Sequence, residues 1–231
     1  HNFSYLPGYL PIFGRSFWLA FLSTAVCLVL GYPMAYLMSR LSASKQSLCM
    51  MLIMLPMWIN FLLRTYAWMS ILENNGLLNQ LFQQIGLIDL YNQIAMHFAS
   101  DPAAYVPIDH FQMIGTQGAV VLGMVYNYLP FMILPIYSVI IKLDHSLLEA
   151  ARDLGAGSLT VFRRVILPLS LPGVVSGITM VFVPSVSTFA ISRMLGGGTE
   201  LLLGDLIERQ FLGGAYNPQL GAAISLVMMI I

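Results

Sequence analysis

Apolar residues in this chain come in long blocks, with charges at their edges. No residue between Arg15 and Arg40 is charged, and FWLAFLSTAVCLVLGYPMAYLM fills that gap. From Lys45 to Glu73 the run MMLIMLPMWINFLLRTYAWM carries Arg64 as its single charge. Between His110 and Ile141 there is no acid, lysine or arginine, and GAVVLGMVYNYLPFMILPIYSVII is the apolar part. Val165 to Ser192 is again uncharged, and a last apolar run starts near Pro218. A helix needs about 20 apolar residues to cross the hydrocarbon core. The pattern therefore predicts spans over 15–39, 47–71, 118–141, 166–192 and 218–231. The fold class is an all-α membrane protein, a polytopic helical bundle forming one transmembrane domain over 1–231.

Composition agrees with a lipid solvent. Of 231 residues, 58% are hydrophobic and 9% charged, and mean hydropathy is +0.80, whereas a soluble domain is about a quarter charged. The net charge is zero and no basic run occurs, so nucleic acid is not an expected partner. Cys27 and Cys49 fall in different spans and are expected to be free thiols acting as small hydrophobes. Arg40, Lys45, Lys142, Arg152, Arg163 and Arg164 make up six of the ten basic residues. They fall in two loops separated by two spans, so the loops share a side. The excess of positive charge there predicts that 40–46 and 142–165 face the cytoplasm, with 72–117 and 193–217 outside. This orientation starts the chain outside. With no signal peptide at HNFSYLPGYLP and an apolar run at the other end, both ends read as cut, and one further preceding span is expected, six in all. Pro33, Pro56, Pro130, Pro135 and Pro184 interrupt the spans. Each removes a backbone donor and favours a kink, which suits either a bundle around a pathway or ordinary membrane-helix packing.

The charge of the middle of the chain is concentrated in EAARDLGAGSLTVFRRVILPL, residues 149–169. Ser146 and Glu149 have capping-box spacing, and Leu147, Leu148, Ala151 and Leu154 make an apolar side. Gly155 is placed to end that helix at a C′ position. Ser158 is placed to cap a second short helix reaching about Ile166, before Pro168 and Pro172 open the fourth span. The prediction is a helix–Gly–helix elbow too small to fold alone. Its apolar side docks on a partner or lies on the bilayer surface.

Glu149-Ala150-Ala151, three residues, Gly155, nine residues, then Val165, Leu167 and Pro168 resemble the EAA signature of ABC importer membrane subunits. Val165 stands where that signature has isoleucine. LGYPMAYLMSR, LPMWINFLLRTYAW, YNYLPFMILPIYSVI, LLEAARDLGAG and GDLIERQFL extend the likeness over most of the chain, to PotB-type permeases of spermidine/putrescine importers. Ferric-iron, thiamine and sulfate permeases share the elbow but less of the rest. The resemblance implies the type I importer permease fold in a bacterial inner membrane, moving polyamines inward by alternating access. It implies a second permease, two copies of a cytoplasmic ABC ATPase carrying ATP and Mg, and an extracytoplasmic polyamine-binding protein. The coupling residues it implies are Glu149, Ala150, Ala151 and Gly155, flanked by Arg152 and Asp153 and followed by Leu167 and Pro168. A permease for another small solute, or a non-transporting assembly subunit, is the alternative.

The chain itself lacks the parts of an enzyme. There is no GxxxxGK[ST]; Gly196-Gly197-Gly198 is followed by Thr199 and Glu200, so ATP hydrolysis falls to a partner. There is no GxSxG, HExxH or pair of intramembrane carboxylates, and His1, His97, His110 and His145 lack metal-ligand spacing. Cofactors and metals are not expected in this chain. A polyamine wants carboxylates at its ammonium groups and aromatic faces along them. Asp205 and Glu208, three apart in a predicted helix, share a face. Trp58, Tyr66 and Trp68 on the second span and Tyr126 and Tyr128 on the third supply rings. Interfacial anchoring of the rings and pairing of Glu208 with Arg193 or Arg209 are the plainer readings. Asn60 and Asn127 should find partners, and Arg64 is expected to snorkel outward or pair with Glu73. The outer stretch with Asp89, Asp101, Pro102, Pro107 and Asp109 is read as a docking surface or a spacer, with a helix near 77–86.

Overall fold

The computed structural model describes residues 9–98, 106–198, 201–213 and 216–230. Of the residues singled out above, His1, Asp101, Pro102, Thr199 and Glu200 lie outside these. In chain order the described helices are α1 (Leu10–Ser39), α2 (Ala43–Met54), α3 (Phe61–Leu72), α4 (Leu77–Gln84), α5 (Leu87–Phe98) and α6 (Gln117–Ile140). They continue as α7 (His145–Asp153), α8 (Ser158–Val161), α9 (Leu167–Ser187), α10 (Ala190–Leu195), α11 (Leu203–Leu212) and α12 (Pro218–Ile230).

The bundle is built on α1, α6 and α9. Cys27, Ala35, Met132, Ile133, Ile136 and Val181 form their shared core. Gly31 of α1 faces Met132 and Ile133, and the Cys27 thiol lies 3.9 Å from the Val125 carbonyl, so α1 and α6 run in the same direction. On α9, Gly173 meets Pro135 and Ile136 while Gly177 meets Met132; that helix returns antiparallel. Lipid offers apolar side chains no less favourable a home than the bundle does, so close backbone approach at small residues supplies the association. A Cβ on Gly177 would stand 2.7 Å from the Met132 sulfur, and one on Gly173 would stand 2.8 Å from the Pro135 carbonyl oxygen. Both cysteines are free.

Three described helical stretches are long and apolar enough to cross a membrane: Leu10–Ser39, Gln117–Ile140 and Ser158–Ser187. The second predicted span, 47–71, is not one straight helix. Pro56 sits in a 3₁₀ turn, Leu55–Trp58, Ile59 is extended, and the chain restarts with Asn60 as N-cap. The Asn60 Oδ1 accepts from the Leu62 amide at 2.8 Å, so the new helix begins with one of its free donors satisfied. The two halves bend by 90°. The fourth span also differs from expectation. It runs from Ser158 through a π-helical turn, Phe162–Ile166, into α9 without a stop at Pro168, and it ends at an extended Thr188 rather than at Ser192. Proline at the start of α9 is compatible with helix because the widened π turn precedes it. The last apolar run is a shorter helix, α12.

The two basic loops meet at one end of the bundle. Gln46 donates to the Leu41 carbonyl at 2.9 Å and accepts from the Tyr137 hydroxyl at 3.0 Å, fixing the α1–α2 turn against the end of α6. At the other end, α4 and α5 pack on the stretch before α6. Asn79 exchanges bonds with the Phe111 backbone, both at 3.0 Å. Asn92 donates to the Ile108 carbonyl at 2.9 Å and accepts from its amide at 3.0 Å. Phe82 and Tyr91 both meet the Phe111 ring edge-on. The described part of 72–117 is thus a folded element, with α4 falling on the predicted 77–86 helix.

Candidate functional site

The elbow begins two residues earlier than its expected capping box. Asp144 is the N-cap of α7, and its carboxylate accepts from the Ser146 amide at 2.9 Å. Ser146 therefore lies inside the helix, and Ser146 with Glu149 does not form the box. Asp144 is the better cap because its carboxylate also meets the positive end of the helix dipole. Likewise Gly157, not Ser158, is the N-cap of α8.

Gly155 is where the sequence required it. Its φ is +81°, a region closed to most L residues. Its amide donates to the Arg152 carbonyl at 2.8 Å and the Ala156 amide donates to the Ala151 carbonyl at 3.1 Å. These two bonds are a Schellman ending, with Gly155 at C′. Leu148, Val161 and Ile166 form a small core beneath the elbow, with Tyr36, Ala151 and Phe162 against it.

That core holds one side of the elbow and leaves the other bare. Glu149, Ala150, Arg152, Asp153 and Gly155 are exposed, Ala151 is half-buried, and Leu167 and Pro168 are exposed on α9. Leu154 is 89% exposed and Leu159 78%. A hollow of about 380 Å³ opens beside Leu154, lined also by Ala151, Gly155, Ala156, Thr160 and Arg164 among others. Ala151 of the EAA triplet and Gly155 thus line one recess on the surface, and Glu149 and Ala150 lie exposed on the same helix.

The rings proposed for cargo separate into three groups. Trp68 and Tyr126 stack edge-on at 5.3 Å and line a cleft of about 250 Å³ with Ile59, Leu63, Arg64 and Ala67. Tyr128, half-buried, donates to the Pro184 carbonyl at 3.5 Å. Trp58 (85%) and Tyr66 (56%) project from the bundle. Asp205 and Glu208 point to different tasks. Asp205 is buried, accepts from the Ser192 hydroxyl, and accepts from the Leu202 amide at 3.1 Å, closing the first turn of α11. Burial pushes its carboxyl above the usual carboxylate range, against those two hydrogen bonds and the nearby Arg209, which pull it down. Glu208 pairs with Arg193 at 2.8 Å. Arg64 does not pair with Glu73. Its Nε and Nη1 are buried with no acceptor among the described residues, and the Asn127 Oδ1 is buried with no donor among them, although Asn127 donates to the Gly123 carbonyl at 2.9 Å. The Gly155 ending of the elbow's first helix was legible in sequence, and Asp144 offers a local cap signal of its own; Ser192 and the buried Arg64 nitrogens were not legible, since each depends on neighbours placed by folding.

The family model for binding-protein-dependent transport system inner membrane components matches residues 27–231. The chain belongs to that family. This permease is 38% identical over 225 residues to the "Spermidine/putrescine transport system permease protein PotB" of Escherichia coli, covering 97% of this chain and 74% of that protein. It is 37% identical to the protein of the same description in Haemophilus influenzae, covering 97% and 72%. It is 31% identical to the E. coli "Inner membrane ABC transporter permease protein YdcU", covering 97% and 69%. In fold the permease is similar to a chain of a bacterial ABC transporter involved in the import of the acidic polysaccharide alginate, with TM-score 0.68, 16% identity, and 96% and 76% of the chains covered. It is also similar to a chain of the MetNI methionine ABC transporter in an inward-facing conformation, with TM-score 0.60, 18% identity, and 96% and 88% covered. The permease is therefore a membrane transport subunit of an ABC importer, not an enzyme, and the ATP is used on a partner chain.

Proposed function

We propose that this permease moves polyamines inward by alternating access, with its elbow on the cytoplasmic side engaging a cytoplasmic ABC ATPase. The observation that carries the reading is the elbow's bare recess. Ala151 and Gly155 line it with Leu154, Glu149 and Ala150 stand exposed on the same helix, and Leu154 and Leu159 are left uncovered by the described residues. The meeting of both basic loops at the elbow end supports its cytoplasmic placement. A second permease and a second ATPase copy complete the assembly, and a binding protein docks on the α4–α5 end. Similarity to spermidine/putrescine permeases supports the cargo, and Trp58, Tyr66, Trp68, Tyr126 and Tyr128 offer rings along the route. Asp205 and Glu208 serve the structure of α11, so carboxylates for the ammonium groups come from the partners.

A second reading, an importer of an anionic solute, is favoured by Arg64. Its guanidinium shares the cleft of Trp68 and Tyr126 and repels an ammonium group there. Both readings are tested in proteoliposomes holding the full-length permease with its partners, given labelled spermidine, putrescine, a carboxylate-bearing solute and a ferric chelate in turn. Uptake of spermidine or putrescine alone is expected; uptake of the carboxylate or chelate alone replaces the polyamine reading. Glu149→Lys is expected to reduce uptake to background while insertion is unchanged, and normal uptake overturns the coupling role.

A further inference from the structure

Phe162 lies in the π-helical turn through which the elbow becomes α9. Its ring meets Tyr32 edge-on at 5.8 Å and Tyr36 at 5.2 Å, with interplanar angles of 85° and 74°. Tyr32 and Tyr36 are four apart on α1, so they stand on one face and take Phe162 between them. Each is held from behind. Ser170 gives its proton to the Leu167 carbonyl at 3.0 Å, so the Tyr32 hydroxyl donates to Ser170 at 2.8 Å. The Tyr36 hydroxyl accepts from Arg40 at 2.9 Å, and the Arg40 guanidinium lies 5.0 Å from the centre of the Tyr36 ring.

The surroundings make this contact selective. Beside it a cavity of about 440 Å³ separates the α1–α2 turn, at Leu41, Ala43 and Gln46, from the elbow residues Leu143 and Leu148. The elbow therefore does not pack broadly on the turn after α1; it reaches α1 through Tyr36, Tyr32 and the small core under Leu148. A π turn carries one residue more than an α turn and recurs at functional positions. Here it sets Phe162 against α1 while Ile166 turns into the elbow core.

We propose that Phe162, gripped by Tyr32 and Tyr36, is the joint that makes α1 move with the elbow. These three are positioning residues: they touch neither ATP nor cargo. The inference rests on the elbow's coupling to an ATPase, and the joint determines how much of each ATP-driven stroke reaches the first span.

The test uses the full-length permease with its partner permease, ATPase and binding protein in proteoliposomes, measuring cargo taken up per ATP hydrolysed. Phe162→Leu is expected to lower that ratio about tenfold with ATP hydrolysis retained, and Phe162→Tyr to keep it near the parent value. Glu149→Lys runs in parallel. If Glu149→Lys leaves uptake normal, the coupling reading itself fails. If Glu149→Lys abolishes uptake and Phe162→Leu keeps the parent ratio, the joint alone is overturned. A second variant removes dependence on Phe162→Leu assembling: Tyr36→Cys with Phe162→Cys, on a background with Cys27→Ala and Cys49→Ala, bridged by a short thiol cross-linker. Bridging is expected to raise the ratio of the double variant because α1 and elbow move as one body. Bridging that stops uptake overturns the proposal.

Discussion

Asp205 shows what a single buried carboxylate does at the edge of a membrane bundle. Its Oδ2 accepts from both the Ser192 hydroxyl and the Leu202 amide, joining α10 to α11, while the neighbouring Leu203 amide donates to Ser16 of α1 at 2.8 Å. Removing the acceptor leaves a buried amide unsatisfied, so Asp205→Ala should cost about 1–3 kcal/mol of stability. It should leave cargo affinity unchanged in whatever fraction folds, as thermal unfolding in detergent and binding assays would show. The pH dependence has a definite sign. The folded carboxyl binds its proton more tightly than the unfolded one, because burial disfavours the charge. Its contribution is fully present below the unfolded value and is lost as pH rises through the folded value. Unfolding temperature should thus gain from this group as pH falls from neutral toward the ordinary carboxylate range, and Asp205→Asn should remove that gain. An unchanged pH profile would separate the group from α10–α11 stability.

At the scale of elements, the contacts among α1, α6 and α9 depend on places where side chains are missing. Gly173 lies under the Pro135 carbonyl, and its virtual Cβ stands 2.8 Å from that oxygen. Backbone cannot yield as a flexible side chain can, so Gly173→Val should force α9 away from α6 at a cost of about 1–3 kcal/mol. Gly14, also helical, has nothing within 4 Å of its virtual Cβ, so Gly14→Val should cost far less. Resistance to thermal unfolding of the two variants, compared side by side, checks the difference. The broken second span is the contrary case, an element divided by its own sequence. Pro56 removes a donor, Asn60 recaps the chain, and the apolar run between Lys45 and Glu73 becomes two helices at 90°. Hydropathy detects the length of such a run, not its bend, because the average over a window is blind to one proline and one asparagine.

For the whole molecule the decisive feature is the elbow's uncovered side. Burying one leucine contributes about 1.5–3 kcal/mol; Leu154, at the edge of the recess, and Leu159, on the helix that follows, stand largely exposed. Leu154→Asp together with Leu159→Ser should weaken binding of the partner ATPase at least about tenfold while leaving membrane insertion intact. Titrating purified ATPase onto the detergent-solubilised permease measures this, and unchanged affinity would place the interface elsewhere. The same exposure explains why the permease is one part of a larger machine. Its bundle satisfies its own core, but the elbow ends in a surface that water does not favour.

The sequence by itself determined the lipid solvent, the existence of the three long apolar helices, the helix–Gly–helix elbow and the family. Each of these is local or additive: hydropathy sums over neighbours, and a glycine at C′ acts within one turn. Tertiary structure alone decided that Asp205 is buried against Ser192, that two Arg64 nitrogens are buried without an acceptor among the described residues, and that Phe162 meets two tyrosines from a span more than a hundred residues away. Those outcomes depend on which helices become neighbours, and no window along the chain contains both partners.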